Sequence, residues 1–172
     1  DALCILAYQQ LAKTDVALLR KIFPIFNGIA LNICEGQQMD MDFEKMESVS
    51  FEAYIKMIEL KTSVALAASL QTGAILGGAG ERNQHLLYEF GRKLGIAFQV
   101  QDDYLDAFGD PAKFGKQMGG DILANKKTFL LIHTLETAAA AKQIELKKLL
   151  QSNTADKIVK VQQLYKDCNA DK

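Results

Sequence analysis

Apolar residues recur along most of this chain at the three- and four-residue spacing of amphipathic helices. Leu3, Leu6, Ala7 and Leu11 form one such stripe near the start. Further along, apolar residues interleave with acids from Leu94 onwards without the strict alternation that a half-buried strand requires. No segment offers convincing strand alternation, so the pattern predicts an all-α protein.

Capping and turn residues set the bounds of the predicted helices, which cover residues 1–10, 14–34, 51–76, 83–106, 129–141 and 142–151, followed by one from Asn153 or Thr154 to about Cys168. Thr14 and Ser50 are predicted N-caps, and Gly36 is predicted to end the second helix. Pro24 is expected to kink or split that helix. The Gly109-Asp110-Pro111 turn should end the helix that begins near residue 83.

Composition limits the class of protein. With 172 residues, 49% of them hydrophobic, the chain predicts a single helical domain over 1–172. A net charge of -1 gives no general reason to expect nucleic acid or an anionic membrane as a partner. No apolar run is predicted to be long enough to span a bilayer. The three cysteines are far apart and odd in number, which favours thiols in a reducing compartment, and the cytoplasm is the predicted location.

Three acids lie close together in the predicted helix that ends near residue 106. Asp102 and Asp106 are four residues apart, Asp103 and Asp106 are three apart, and Gln99 lies one turn earlier. Like charges at this spacing cost a helix about 0.2–0.5 kcal/mol per pair. A cation would offset that cost, and Mg²⁺ prefers carboxylate oxygens, water and phosphate. The alternative is a solvated acidic helix face.

A Gly- and Lys-rich segment follows the acids and contains Lys113, Lys116, Lys126 and Lys127. Opposite charges on separate elements suit a diphosphate that binds the lysines directly and the acids through metal. A P-loop is rejected because five residues separate Gly109 from Gly115, and the residue after Lys116 is Gln. An EF-hand is rejected because the acids lack its alternating ligands and central Gly.

This region resembles the second aspartate-rich motif, with its following Gly-Lys, Gly, Asp and Lys-x-Thr series, of the trans-isoprenyl diphosphate synthases, the farnesyl and geranylgeranyl diphosphate synthase family. Many members of that family have Pro where this chain has Leu130. The resemblance implies an isoprenoid-synthase-type helical bundle with a central cavity. The matching residues are Phe98, Gln99, Asp102, Asp103, Asp106, Gly115, Lys116, Gly119, Asp121, Lys126 and Thr128.

The resemblance also implies an activity, namely the Mg²⁺-dependent condensation of an allylic diphosphate (dimethylallyl, geranyl or farnesyl diphosphate) with isopentenyl diphosphate. A homodimer is implied in the same way. The resemblance assigns roles to nine residues: Asp102, Asp103 and Asp106 to metal; Lys61, Lys116 and Lys126 to the allylic diphosphate; Thr62 and Gln99, with Lys61, to catalysis near the allylic cation; and Phe98 to the substrate cavity.

The run from Glu35 to Asp40 is also similar to one in the family, although a polar helix end explains it equally well.

Members of that family are considerably longer than this chain. Asp1-Ala2-Leu3 resembles the segment that follows their first aspartate-rich motif, so we expect an interior to C-terminal piece of a longer synthase. The first aspartate-rich motif and the arginine motifs for isopentenyl diphosphate are not in the sequence shown. This piece is therefore expected to be inactive alone, and product length is not readable.

Three alternatives remain. A terpene cyclase shares the expected fold and metal, but typically has an Asn-Ser-Glu type motif in place of the acids after Gln99. A non-catalytic partner subunit of a heteromeric synthase tends to lose the acids. A purely structural helical domain leaves the clustered acids without a purpose.

Overall fold

The computed structural model describes residues 2–110, 112 and 118–171, and these residues contain helices and no strand. The predicted all-α class is therefore confirmed. In chain order the helices are α1 (Ala2–Leu11), α2 (Val16–Phe43), α3 (Phe51–Ile58), a π-helical segment (Glu59–Ser63), α4 (Val64–Leu76), α5 (Glu81–Phe108), α6 (Gly120–Leu123), α7 (Phe129–Thr137), α8 (Ala140–Leu150) and α9 (Lys157–Asp167).

Helix α2 is one element of 28 residues, so the predictions that Pro24 splits it, that Gly36 ends it and that Thr14 caps it were wrong. It continues through Pro24, whose missing N–H costs one intrahelical hydrogen bond that packing along a long helix can offset. It also continues through Gly36, where a Cβ would lie 2.8 Å from the carbonyl carbon of Leu60. Gly36 thus permits close packing rather than ending the helix. The N-cap is Asp15 instead of Thr14, because Asp15 Oδ1 accepts a hydrogen bond from the Ala17 N–H at 2.9 Å.

Helix α2 meets the length and composition criteria for a membrane-spanning helix. An 18-residue stretch of this helix has a mean hydropathy of 1.4, so α2 is long and apolar enough to cross a bilayer by length and composition. The prediction that no apolar run reaches that length was wrong, because the helix is not split at Pro24. Only 6% of that stretch is buried. Core helices of soluble proteins and signal sequences satisfy the same criterion, so this is weak evidence.

The predicted helix over residues 51–76 is confirmed, with one irregularity. Ser50 caps it as predicted, since its Oγ accepts from the Ala53 N–H at 3.2 Å. Between α3 and α4 the backbone forms a π-helical segment that contains Lys61 and Thr62. Such π-bulges are rare and frequently lie at functional sites.

The described chain divides into two compact units, one of residues 1–37 and 58–96 and the other of residues 38–57 and 97–172. In the first unit, α5 packs closely against the π-helical segment and α4. A Cβ on Gly91 would lie 2.7 Å from Ala67 Cα, and a Cβ on Gly95 would lie 2.5 Å from Ser63 Cα. These two glycines, one helical turn apart, therefore let the backbones approach. A single domain over 1–172 stays a prediction.

The second unit contains a contiguous buried core that supports the last turns of α5. Its members come from α5 to α9 and the chain just after α9: Ala107, Ile122, Leu130, Leu131, Leu146, Val161, Leu164, Tyr165 and Ala170. Helix α5 ends at Phe108, as the following Gly109-Asp110 turn predicts. Leu130 is 1% exposed in this core.

The C-terminal helix bounds differ from the prediction. Helix α7 ends at Thr137 and α8 begins at Ala140, because Ala138 and Ala139 have extended ψ values of 150° and 148°. An alanine run favours helix but does not enforce it. The last helix begins at Lys157 rather than after Thr154, and its N-cap residue, Asp156, makes no side-chain capping bond.

Candidate metal and diphosphate site

The three acids of the aspartate-rich motif lie in the last two turns of α5 but have different surroundings. Asp102 and Asp106 are half-buried, whereas Asp103 is only 6% exposed. Helical geometry explains the difference, because residues four apart share a face while the next residue along is rotated by about 100°. Asp103 is therefore buried in the protein, whereas the carboxylates of Asp102 and Asp106 are partly accessible to solvent.

Asp103 accepts hydrogen bonds from three donors on three helices. Tyr54 Oη donates to its Oδ2 at 2.6 Å, the Phe129 N–H donates to the same oxygen at 3.3 Å, and Gln99 Nε2 donates to Oδ1 at 3.3 Å. Burial raises the pKa of Asp103 to about 6, although these three hydrogen bonds act in the opposite direction. Burial, and then the charge of Asp103, raise the pKa of Tyr54 well above its usual value.

This raised pKa predicts a pH dependence of stability. Between an unfolded pKa of about 4 and the folded value of about 6, the folded state binds more protons at Asp103 than the unfolded state does. The free energy of unfolding of the metal-free protein should therefore fall as pH rises through this window, by about 3 kcal/mol at most from this group. Denaturant titrations at several pH values should show this loss in the wild type and its absence in Asp103→Asn. Equal slopes for the two proteins would contradict the prediction.

A tight turn brings the start of α6 against Asp106. Gly119 has a left-handed φ of 79°, its N–H donates to the Asp106 carbonyl oxygen at 2.7 Å, and the Asp121 N–H donates to Asp106 Oδ2 at 2.9 Å. Burial raises the pKa of Asp106, while the Asp121 N–H acts to lower it. Asp121, a motif residue to which the sequence assigned no role, thus lies beside the acidic helix end.

Lys126 lies among these acids. Its Nζ is 3.1 Å from Asp121 Oδ1. Burial acts to lower the pKa of Lys126, but the charge of Asp121, with smaller contributions from Asp40 and Asp103, raises it above its ordinary value. The ammonium group is therefore held charged next to the carboxylates, within reach of an anion bound there.

A buried lysine supports the loop that carries Lys126. Asn125 adopts a left-handed φ of 54°, and Lys157 Nζ donates to Asn125 Oδ1 at 2.8 Å and to the Leu150 carbonyl oxygen at 3.0 Å. Lys157 is 3% exposed. These bonds fix the backbone immediately before Lys126.

Several predicted site residues stay predictions. Lys61 and Thr62 lie in the π-helical segment of the first unit, and Phe98 is 55% exposed on α5. Gln99 donates to Asp103, as described above. Lys116 lies outside the described residues.

The donor set fits Mg²⁺. Asp102 and Asp106 offer half-buried carboxylate oxygens, with the carboxylate of Asp121 adjacent to Asp106, and a hard divalent cation prefers such ligands. Within the part of the chain that the structure describes, no three His, Cys, Asp or Glu side chains come together closely enough to hold a metal unaided. Mg²⁺ usually keeps waters and substrate phosphates in its shell, so a metal here would need an anionic ligand to complete its coordination.

The helical fold and the acidic end of α5 agree with the resemblance to an isoprenoid-synthase type of protein, and comparison with known proteins shows the family. The family model for polyprenyl synthetase matches residues 1–168. A short chain isoprenyl diphosphate synthase of Methanocaldococcus jannaschii is 35% identical over 162 residues, which cover 93% of this chain and 49% of that protein. The chain belongs to the polyprenyl synthetase family.

Solved structures show the same fold. A crystal structure of geranylgeranyl pyrophosphate synthase aligns with a TM-score of 0.90 and 40% identity over 99% of this chain and 54% of its own length. A geranylgeranyl pyrophosphate synthase of Corynebacterium glutamicum, complexed with isoprenyl diphosphate and magnesium, aligns with a TM-score of 0.84 and 26% identity over 91% of this chain and 45% of its own length. The chain thus spans about half the length of the proteins it matches.

Proposed function

We propose that the complete protein is a Mg²⁺-dependent prenyltransferase that condenses an allylic diphosphate with isopentenyl diphosphate to give a longer trans-polyprenyl diphosphate. The observation that carries this proposal is the placement of Lys126, ion-paired with Asp121, beside the carboxylate-bearing end of α5 in a member of the polyprenyl synthetase family. Acids and a charged lysine in one place suit a diphosphate that carries its own metal.

Asp102 and Asp106 are the carboxylates that we assign to Mg²⁺. When bound, Mg²⁺ would neutralise negative charge on the leaving diphosphate. The Lys126 ammonium group would bind the diphosphate oxygens, and the family resemblance assigns Lys61 and Lys116 to the same group. Asp121 would hold Lys126 in place, since its Oδ1 lies 3.1 Å from the lysine Nζ.

The proposed reaction breaks the allylic C–O bond and releases diphosphate. The double bond of isopentenyl diphosphate supplies the electron pair of the new C–C bond, and loss of one proton restores a double bond. The resemblance assigns Thr62 and Gln99 to the region of the allylic cation, and Phe98 to the cavity. The side chains of Thr62 and Gln99 would act as fixed dipoles, which need no reorganisation during the reaction.

Several features of the complete protein belong to this proposal: a homodimer, a cytoplasmic location, no membrane span and no nucleic-acid partner. The first aspartate-rich motif and the isopentenyl diphosphate site would lie in the half of the fold that this chain does not span. A non-catalytic partner subunit and a terpene cyclase are less favoured, because the acids of α5 and the Lys126 loop are both present.

The proposal is tested by incubating the complete protein with Mg²⁺, isopentenyl diphosphate and each of dimethylallyl, geranyl and farnesyl diphosphate. We expect a longer prenyl diphosphate from at least one of the three, and no product with excess EDTA. A melting-temperature measurement with Mg²⁺ plus a non-hydrolysable allylic diphosphate analogue gives a second result. Ligand that binds only the folded state should raise the melting temperature. No product and no shift would overturn the proposed function.

A further inference from the structure

We propose that Tyr54 and Asp103 form a buried clamp that positions the metal-facing carboxylates, with Asp103 acting as a positioning residue rather than as a metal ligand. This inference rests on the proposed function, since it concerns the same site. It differs from the sequence-based assignment, in which all three acids of α5 bind metal.

The hydrogen bonds of Asp103 leave little room for a metal. An ionised carboxylate has about four lone-pair directions. Tyr54 Oη and the Phe129 N–H occupy Oδ2, and Gln99 Nε2 occupies a direction on Oδ1. The side chain is also 6% exposed, whereas Mg²⁺ needs an open path, water ligands and near-ideal octahedral geometry. Asp102 and Asp106, by contrast, are half-buried.

The clamp joins three elements of the second unit. Tyr54 lies on α3 and is 1% exposed, Asp103 lies on α5, and Phe129 is the first residue of α7. Phe51, one turn before Tyr54, packs edge-on against Phe129 with ring centroids 6.1 Å apart. Asp103 Oδ2 therefore ties the acidic helix to α3 through the Tyr54 hydroxyl and to α7 through the Phe129 N–H.

This arrangement bears directly on the proposed chemistry. Asp102 is the sequence neighbour of Asp103, and Asp106 follows one turn later on the same helix. Phe129 follows Lys126 by three residues, with Thr128 capping α7 through its Oγ1. A displacement of about 1 Å at a reacting centre can cost on the order of 10²-fold in rate. Loss of the Tyr54 hydroxyl should act on activity through this route, without touching substrate.

The test is a double-mutant cycle in the complete protein with Tyr54→Phe, Asp103→Asn and the pair together. Tyr54→Phe removes one oxygen atom and keeps the ring. Both single variants should lower kcat/KM by about 10–100-fold, the range found for residues that support metal ligands. The kcat/KM of the double variant should be within about threefold of that of the less active single variant, because Tyr54→Phe removes the Tyr54–Asp103 hydrogen bond and Asp103→Asn weakens the same bond by removing its charge. Tyr104→Phe, the same change at a 39% exposed tyrosine of α5, is the matched control and should retain wild-type activity.

Two results would overturn the clamp. One is wild-type activity in Tyr54→Phe. The other is an Asp103→Asn variant that needs at least tenfold more Mg²⁺ than Tyr54→Phe for half-maximal rate and whose defect adds to that of Tyr54→Phe, as expected of a ligand. The same cycle measured on melting temperature in EDTA requires no activity. A wild-type protein that is inactive with every allylic substrate would reject the proposed function. The clamp would still be supported if the changes in melting temperature of the two single variants did not add in the double variant. Additive changes in melting temperature would reject the clamp.

Discussion

Replacement of Asp102 by Asn in the complete protein is expected to lower kcat/KM for prenyl transfer by about 10²–10³-fold, the loss typical when one preorganised charge-stabilising group is removed. The substitution keeps the size of the side chain but removes the negative charge that we assign to Mg²⁺. Steady-state kinetics with saturating Mg²⁺ and both substrates measures the effect.

Asp110→Asn is the matched control for this prediction. Asp110 is exposed just after the same helix and its Oδ1 accepts from the Ala112 N–H, a bond that asparagine also makes. The Asp110→Asn substitution removes one negative charge eight residues away from Asp102. A general electrostatic effect would therefore lower the activities of the Asp102→Asn and Asp110→Asn variants alike. Unchanged turnover in Asp102→Asn, or equal losses in the two variants, would refute the metal assignment.

Gly95→Ala should destabilise the protein, even though alanine is the better helix former. The new Cβ would lie 2.5 Å from Ser63 Cα, a backbone atom of the π-helical segment that cannot rotate away. Overpacking of this kind costs about 1–3 kcal/mol or more, which exceeds the gain of up to about 1 kcal/mol from replacing a helical glycine. Chemical denaturation of the complete protein should show a lower midpoint.

Gly73→Ala provides the opposite expectation at a matched site. Gly73 lies inside α4, and apart from its sequence neighbours and the backbone of its own helix a Cβ there would meet no atom within 4 Å. Because alanine only lowers the conformational entropy of the unfolded chain here, the free energy of unfolding should rise by about 0.5–1 kcal/mol. If the two substitutions changed stability in the same direction, close packing of α5 against residues 63–67 would not be the reason for Gly95.

Hydrophobic periodicity predicted the helical class and the main helices, including the stretch over residues 51–76 and the acidic helix that ends at Phe108. The errors fall where tertiary contacts decide local structure. Gly36 resembles a helix end in the sequence, but the approach of Leu60 and Lys61 is what requires a glycine there. The π-helical segment has no signature in hydrophobic spacing.

In the candidate site, too, the sequence predicted what depends on neighbouring residues and missed what depends on contacts between distant residues. The spacing of Asp102, Asp103 and Asp106 was sufficient to place them on one helix, but not to tell which carboxylate faces inwards. Tyr54 lies 49 residues before its partner, so no local pattern links them. A tyrosine in an apolar helix does need a partner for its hydroxyl when buried, which is the one signal available in the sequence.

The buried pair of Lys157 and Asn125 carries an evolutionary consequence. Loss of the asparagine oxygen alone would leave the ammonium group of Lys157, a residue that is 3% exposed, with one fewer acceptor. Loss of the lysine alone would leave the left-handed turn before Lys126 without its support. The two positions are 32 residues apart, yet substitutions at them should be correlated among homologous sequences, and a homologue that has lost one should have changed the other.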